Sequence, residues 1–238
     1  MTNKELRVVV FDLDETLGYF QQFGLFCNSI EAMKKKKLTE KEFMYLLNLY
    51  PEYFRPYLFE IMNFLKQKKI NKELDKVCIY TNNNAPKQWA KRIFKFIEKK
   101  INYELFDSHI GAYKVNGVQI EKKRTTHNKT LTDFFMTTKI PTHSKICFID
   151  DLYHPEMDKK NVVYIKVQPY SIELPITTLT SRFCNNFNCN IPFYEFNNAI
   201  TSFFKMNTMI GGHESKAMTI NHVANGEKII TELMRFFT

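Results

Sequence analysis

Tryptophan is almost missing from this chain of 238 residues, with one Trp against 22 Phe and 12 Tyr. Glycine and proline are scarce as well, at 7 and 8, which excludes collagen-like and low-complexity polymers. The five cysteines (Cys27, Cys78, Cys147, Cys184, Cys189) are scattered, and only Cys184 and Cys189 approach each other, with four residues between them. No second pair completes a zinc set, so all five read as free thiols in a reducing compartment. Six histidines (His109, His127, His143, His154, His213, His222) show no metal-ligand spacing. No apolar run approaches the roughly 18 residues of a membrane span, so no membrane partner is expected. Met1-Thr2-Asn3-Lys4-Glu5 leads straight into an apolar segment, without a signal-peptide core or an Arg- and Ser-rich leader. An intracellular place, cytoplasmic or nuclear, is expected.

Charge is abundant, and its excess is of one sign. The net charge is +9, and residues 171–238 balance five basic against five acidic side chains, so the excess sits in residues 1–170. It is concentrated in Lys34–Lys37, Lys66–Lys76, Lys87–Lys100 and Lys122-Lys123-Arg124. Such a field attracts anions, whether nucleic acid or acidic and phosphorylated protein. Any single run also reads as a solvated face.

Short apolar runs alternate with helical patterns. Arg7–Phe11, Val77–Tyr80, Lys145–Ile149 and Val162–Val167 read as strands buried on both faces, with a weaker candidate at Phe106–Tyr113. Pro56–Lys69 and Pro86–Lys100 carry apolar residues at helical spacing. The pattern predicts an α/β fold with a doubly wound parallel sheet. Residues 1–169 form the expected core. It is interrupted by a helical insertion at 19–54 (Ile30–Lys36, then Glu40–Leu49) and by a β-hairpin insertion at 110–127 that turns at Asn116-Gly117. Residues 170–238 read as a helical extension packed on that core, with helices at Phe193–Met206 and Asn225–Phe236.

Three of these strands end in residues foreign to a core: Asp12-Leu13-Asp14, Thr81-Asn82 and Asp150-Asp151. In open parallel sheets, ligands bind beyond the carboxyl ends of the strands, so the clusters converge on one crevice. If the first strand extends this far, Asp12 and Asp14 fall on one face of it, about 6.6 Å apart along it. With Asp150 and Asp151 they gather carboxylates whose repulsion calls for a hard cation, and an oxygen-rich set suits Mg²⁺. Mg²⁺ in turn attracts phosphate.

Val8 to Leu17, with Asp12-Leu13-Asp14-Glu15-Thr16, resembles the first motif of the haloacid dehalogenase (HAD) superfamily. Ile79-Tyr80-Thr81-Asn82 resembles its second and Phe148-Ile149-Asp150-Asp151 its fourth. The resemblance implies a phosphoric monoester hydrolase. Asp12 would be the nucleophile that forms an aspartyl-phosphate, and Asp14 the general acid and then base. Mg²⁺ would be held by Asp12, the Asp14 backbone carbonyl, Asp150 and Asp151. The Thr81 hydroxyl and the Asn82 N–H, at the start of a helix, would bind the phosphoryl group. Lys129, 21 residues before Asp150, is the choice for the third-motif lysine, with Lys122, Lys123 and Arg124 as neighbours.

Within that superfamily the chain resembles the group of RNA polymerase II C-terminal-domain (CTD) phosphatases and NLI-interacting-factor-like proteins. The residues carrying this are Asp12–Leu17, Arg55-Pro56 leading to Phe64-Leu65, and Tyr80-Thr81 followed by Trp89-Ala90. The resemblance implies no large cap and a cleft open to phosphoserine or phosphothreonine in a protein or peptide. The alternatives are a nucleic-acid 3′-phosphatase or nucleotidase, or a phosphatase-like binding module without catalysis. Lys129-Thr130-Leu131 departs from the group's usual Lys-Asp-Leu.

Overall fold

The structure is a computed structural model that describes residues 5–187, 191–208 and 222–238. Cys189 and His213, named above, lie outside the described residues, and Cys27, Cys78, Cys147 and Cys184 form no disulfide among the described residues.

Along the chain the elements are β1 (Arg7–Phe11), α1 (Gln21–Lys34), α2 (Glu40–Leu49), a 3₁₀ turn (Pro51–Tyr53), α3 (Leu58–Ile70), β2 (Lys76–Tyr80) and α4 (Lys87–Ile101). Then come β3 (Ser108–Ile110), β4 (Lys114–Val115), β5 (Val118–Gln119), α5 (Leu131–Thr138), β6 (Lys145–Asp150) and β7 (Val162–Lys166). Last are α6 (Ile176–Asn186), α7 (Phe193–Thr208) and α8 (His222–Phe237). Five strands form one sheet in the order β3-β2-β1-β6-β7, every pair parallel. The chain winds outward from β1 to β3 on one side and from β6 to β7 on the other. The doubly wound α/β expectation therefore holds, and the winding reverses between β1 and β6.

The central strands β1, β2 and β6 are apolar because both faces are covered. The edge strand β7, expected to be buried on both faces, has one uncovered side and leaves Val163 and Lys166 exposed. Val8, Val10, Cys78, Tyr80, Ile146 and Phe148 share one core with Leu131 and Phe134 of α5. The alternate residues Val9, Val77, Ile79, Cys147 and Ile149 point the other way and are equally buried. The hairpin turns as expected at Asn116 and Gly117, with φ of 49° and 80°, the left-handed pair that a two-residue turn requires.

The contact pattern divides the chain into two compact units. One takes in residues up to Gly18, Phe54–Tyr170 and α8, and therefore holds the sheet. In it α8 rests against α3 so closely that a Cβ on Gly226 would lie 2.5 Å from the Pro56 carbonyl oxygen. The other takes in Tyr19–Tyr53 with the described residues of 171–220, which hold α6 and α7. Its core is aromatic. Phe23 meets Phe43 edge-on, Phe26 meets Tyr50 and Phe183 in the same manner, and the Tyr50 hydroxyl donates to the Leu179 carbonyl at 2.6 Å.

Several elements differ from the sequence reading. The first inserted helix begins at Gln21 rather than near Ile30, and its N-cap Phe20 offers no side-chain cap to announce it. The weak strand shrinks to Ser108–Ile110. The short α5 and the Thr-rich α6, which starts behind Pro175, left no clear periodic signal.

Candidate active site

The site lies beyond the carboxyl ends of β1, β2 and β6, where the winding of the sheet reverses. The Asp12 N–H still donates to the Ile149 carbonyl at 2.9 Å, so sheet pairing carries Asp12 rigidly to the rim. Beyond it the chain turns sharply. Glu15 adopts φ 57°, an uncommon conformation for a residue with a side chain, and its N–H donates to the Gly18 carbonyl at 2.7 Å. The buried guanidinium of Arg55 clamps this turn, donating to the carbonyls of Thr16 (2.6 Å), Glu15 (2.6 Å) and Gln168 (2.7 Å).

Lys129 is buried between two carboxylates. Its ammonium lies 2.5 Å from Asp12 Oδ1 and 2.6 Å from Asp150 Oδ2. The other Asp150 oxygen accepts from the Leu152 N–H at 2.8 Å, so both of its oxygens are engaged. Asp151 is stitched to Thr16: the Thr16 hydroxyl donates to Asp151 Oδ1, and the Asp151 N–H donates back to that hydroxyl, each at 3.1 Å. Asp12, Asp150 and Asp151 each offer a carboxylate oxygen, and the three atoms lie within 4.8 Å of one another.

Burial dominates the electrostatics. It pushes the Asp12 carboxyl up, opposed by the Lys129 ammonium, while the Asp150 charge adds to the rise. Asp150 is raised by burial against the same ammonium. Burial, then the charges of Asp12 and Asp150, raise Asp151 to about 7. Asp14 is raised to about 6 by burial, opposed by a hydrogen bond from the Asn83 amide at 2.6 Å. His154 is pushed down to about 4, mainly by burial and then by Lys129, and its Nε2 stands 3.5 Å from Asp150, too far for a hydrogen bond. Three buried carboxylates facing one ammonium leave negative charge uncompensated. The donors are oxygens only, the chemistry that suits a hard divalent cation, so these residues fit such an ion.

Thr81 is buried at the end of β2, where its hydroxyl accepts from the Asn83 N–H at 3.1 Å. Asn82 turns its side chain to Arg124, 2.8 Å from Nη1. The expected helix start is corrected here. Thr81 and Asn82 stand in a loop, because α4 begins only at Lys87, behind Pro86. Asn83 Oδ1 accepts from the Ala85 N–H at 2.8 Å, an Asx turn that holds this loop outside the helix.

Of the four basic residues weighed for the third-motif role, Lys129 is the one that reaches Asp12. Arg124 instead acts as a bolt, donating to the carbonyls of Thr81 (3.2 Å), Gly111 (2.9 Å) and His127 (2.8 Å), with its guanidinium 4.9 Å from the Tyr80 ring centre. Sequence reasoning missed Asn83, Thr16 and Arg55 as members of the site, and weighed Arg124 for the wrong role. Thr16 and Arg55 lay inside quoted motifs, whereas Asn83 sat in a run of three asparagines that read as turn formers.

Among families of known proteins, the sequence profile described as NLI interacting factor-like phosphatase matches residues 7–181. None of the curated proteins compared with the chain matches it.

Proposed function

The chain belongs to the NLI interacting factor-like phosphatase family, and on that premise we propose that it hydrolyses phosphoserine or phosphothreonine in protein through an aspartyl-phosphate on Asp12. The observation that carries this reading is the contact of Lys129 with Asp12 at 2.5 Å and with Asp150 at 2.6 Å. A nucleophilic carboxylate must ionise to attack, and the adjacent ammonium opposes the rise that burial imposes on Asp12.

In this reading Asp12 attacks phosphorus and the ester oxygen leaves. Asp14, raised to about 6 and oriented by Asn83, gives that oxygen its proton. The same carboxylate then takes a proton from the water that cleaves the acyl phosphate. Lys129 offsets charge on Asp12 throughout. The Thr81 hydroxyl and the Asn82 N–H hold the phosphoryl oxygens. Mg²⁺, held by Asp12, the Asp14 carbonyl, Asp150 and Asp151, would supply charge neutralisation for the phosphoryl oxygens. The positive excess of residues 1–170 supports an anionic macromolecular substrate.

The experiment is turnover of p-nitrophenyl phosphate and of phosphopeptides by wild type and Asp12→Asn, with Mg²⁺ and with chelator. Loss of turnover in the variant, with an unchanged circular dichroism spectrum, is expected. Retained turnover would remove Asp12 as nucleophile. The same charge excess also suits 3′-phosphorylated oligonucleotides, so these run in parallel at two salt concentrations.

A further inference from the structure

α4 buries one face in the core through Ala90, Ile93, Phe94, Ile97 and Ile101, while Gln88, Lys91, Lys95 and Lys99 on the other are exposed. The three lysines follow at steps of four, so they form one stripe about 80° wide with rungs about 6 Å apart along the axis. Lysines four apart repel, so the helix itself gains nothing from the arrangement. The one acid of α4, Glu98, is turned to the loop that follows, where it accepts from the Leu105 and Phe106 N–H groups, each at 2.9 Å. Lys91 and Lys99 make no ion pair among the described residues. Other basic runs meet acids of the fold: Lys34 lies 2.9 Å from Glu42, and Lys69 and Lys76 share Asp107 at 2.7 and 3.1 Å.

The stripe begins near the reaction centre. Asn83, whose amide is bonded to Asp14 at 2.6 Å, precedes the first residue of α4 by four positions, a stretch of at most about 14 Å. Lys91 lies about 6 Å further along the helix. A peptide with its phosphate at Asp12 therefore reaches the first lysine within about six extended residues. Each further rung, about 6 Å on, matches two residues of an extended chain, whose side chains return to the same side every 6.6 Å or so. Among the described residues, none of the exposed large hydrophobic side chains stands on α4, so the stripe offers no stacking platform for bases.

We propose that the stripe of Lys91, Lys95 and Lys99 docks an acidic segment of the phosphoprotein substrate, with carboxylates or further phosphates within about ten residues of the phosphorylated one and on one side of it. The inference rests on the phosphatase reading above and deepens it by naming the class of substrate. The stripe takes no part in the chemistry. It raises the rate of encounter and the local concentration of substrate, an effect that salt screens.

The test compares phosphoserine peptides that share one core and carry a glutamate-rich or a glutamine-rich tail on the amino or the carboxyl side, with p-nitrophenyl phosphate beside them. At low salt the acidic tail on one side is expected to raise kcat/KM about tenfold, mainly through KM, and high salt to erase the gain. Lys91→Glu, Lys95→Glu and Lys99→Glu combined should abolish the gain, with p-nitrophenyl phosphate turnover and the circular dichroism spectrum unchanged. Lys91→Gln, Lys95→Gln and Lys99→Gln combined, a milder change for the helix, should remove most of it. Lys36→Glu, Lys41→Glu and Lys160→Glu combined, at exposed positions elsewhere, change the net charge equally and should keep it. No gain from either tail, a gain that survives in both stripe variants, or a gain lost equally in the control overturns the docking surface alone. So does stripe-dependent turnover of a 3′-phosphorylated oligonucleotide without a response to acidic peptides. No phosphate release by wild type from any compound overturns the phosphatase reading and the docking surface with it.

Discussion

The side-chain amide of Asn83 lies 2.6 Å from Asp14 Oδ2, a contact that crosses from the loop after β2 to the turn after β1. Its length is that of a strong, charge-assisted bond, and it fixes the direction in which Asp14 can present a proton. Asn83→Ala should therefore lower kcat on p-nitrophenyl phosphate by about tenfold, the equivalent of about 1.4 kcal/mol, with KM nearly unchanged. A variant with kcat intact would remove Asn83 from the reaction.

The carboxylates make stability depend on pH in an unusual direction. Asp151 is raised to about 7, and Asp12 and Asp150 are raised with it, so the folded state holds protons that the unfolded chain releases near pH 4. Stability from this source is complete below about pH 4 and is lost as pH rises through about 7. In chelator the melting temperature should fall over that interval, and Asp151→Asn should flatten the fall. Differential scanning calorimetry from pH 5 to 8 with and without Mg²⁺ measures this, and added Mg²⁺ should restore stability at pH 8. A melting temperature that climbs over the interval in chelator would contradict it.

Gly226 packs where no side chain fits, with a Cβ meeting the Pro56 carbonyl oxygen at 2.5 Å and Tyr57 Cδ2 at 2.9 Å. Gly226→Ala would force α8 away from the start of α3. Helix propensity favours the change by about 1 kcal/mol, but overpacking against backbone costs about 1–3 kcal/mol. Urea denaturation should show net destabilisation, and a more stable variant would mean that α8 does not rest there.

The start of α2 is held by a reciprocal pair. The Thr39 hydroxyl accepts from the Glu42 N–H at 3.2 Å, and a Glu42 oxygen accepts from the Thr39 N–H at 2.8 Å. Thr39→Ala should cost about 1 kcal/mol by urea denaturation. Lys34 beside Glu42, followed by the bonds from Thr39, lowers the Glu42 carboxyl to about 2. Its contribution is present above about pH 4.5 and is lost as pH falls through about 2. Glu42→Gln should therefore be the less stable chain at pH 7, with the difference vanishing near pH 2. The pair is largely exposed, so added salt should shrink the difference.

Much of this was legible in the sequence because the information was local. Four continuous apolar runs read as strands, three of which (β1, β2 and β6) are covered on both faces, and Asn116-Gly117 read as a tight turn. Asp12, Asp14, Thr81 and Asp150 were visible as polar residues delivered by apolar strands. What stayed hidden depended on contacts across the chain. Asn83 looks like its two asparagine neighbours until the fold brings it to Asp14, 69 positions away. Arg124 looks like part of a solvated basic run, yet it is buried and bound to five oxygens drawn from three loops. The joining of 19–53 with α6 and α7 leaves no trace in either stretch alone, because aromatic packing between distant segments has no period.

The most direct measurement is mass spectrometry of the protein quenched in acid during turnover of a phosphopeptide, followed by proteolysis. The account predicts a phosphoryl adduct on the peptide that contains Asp12, absent from Asp12→Asn and longer-lived in Asp14→Asn. Turnover without an adduct, or an adduct on a peptide that lacks Asp12, would contradict it.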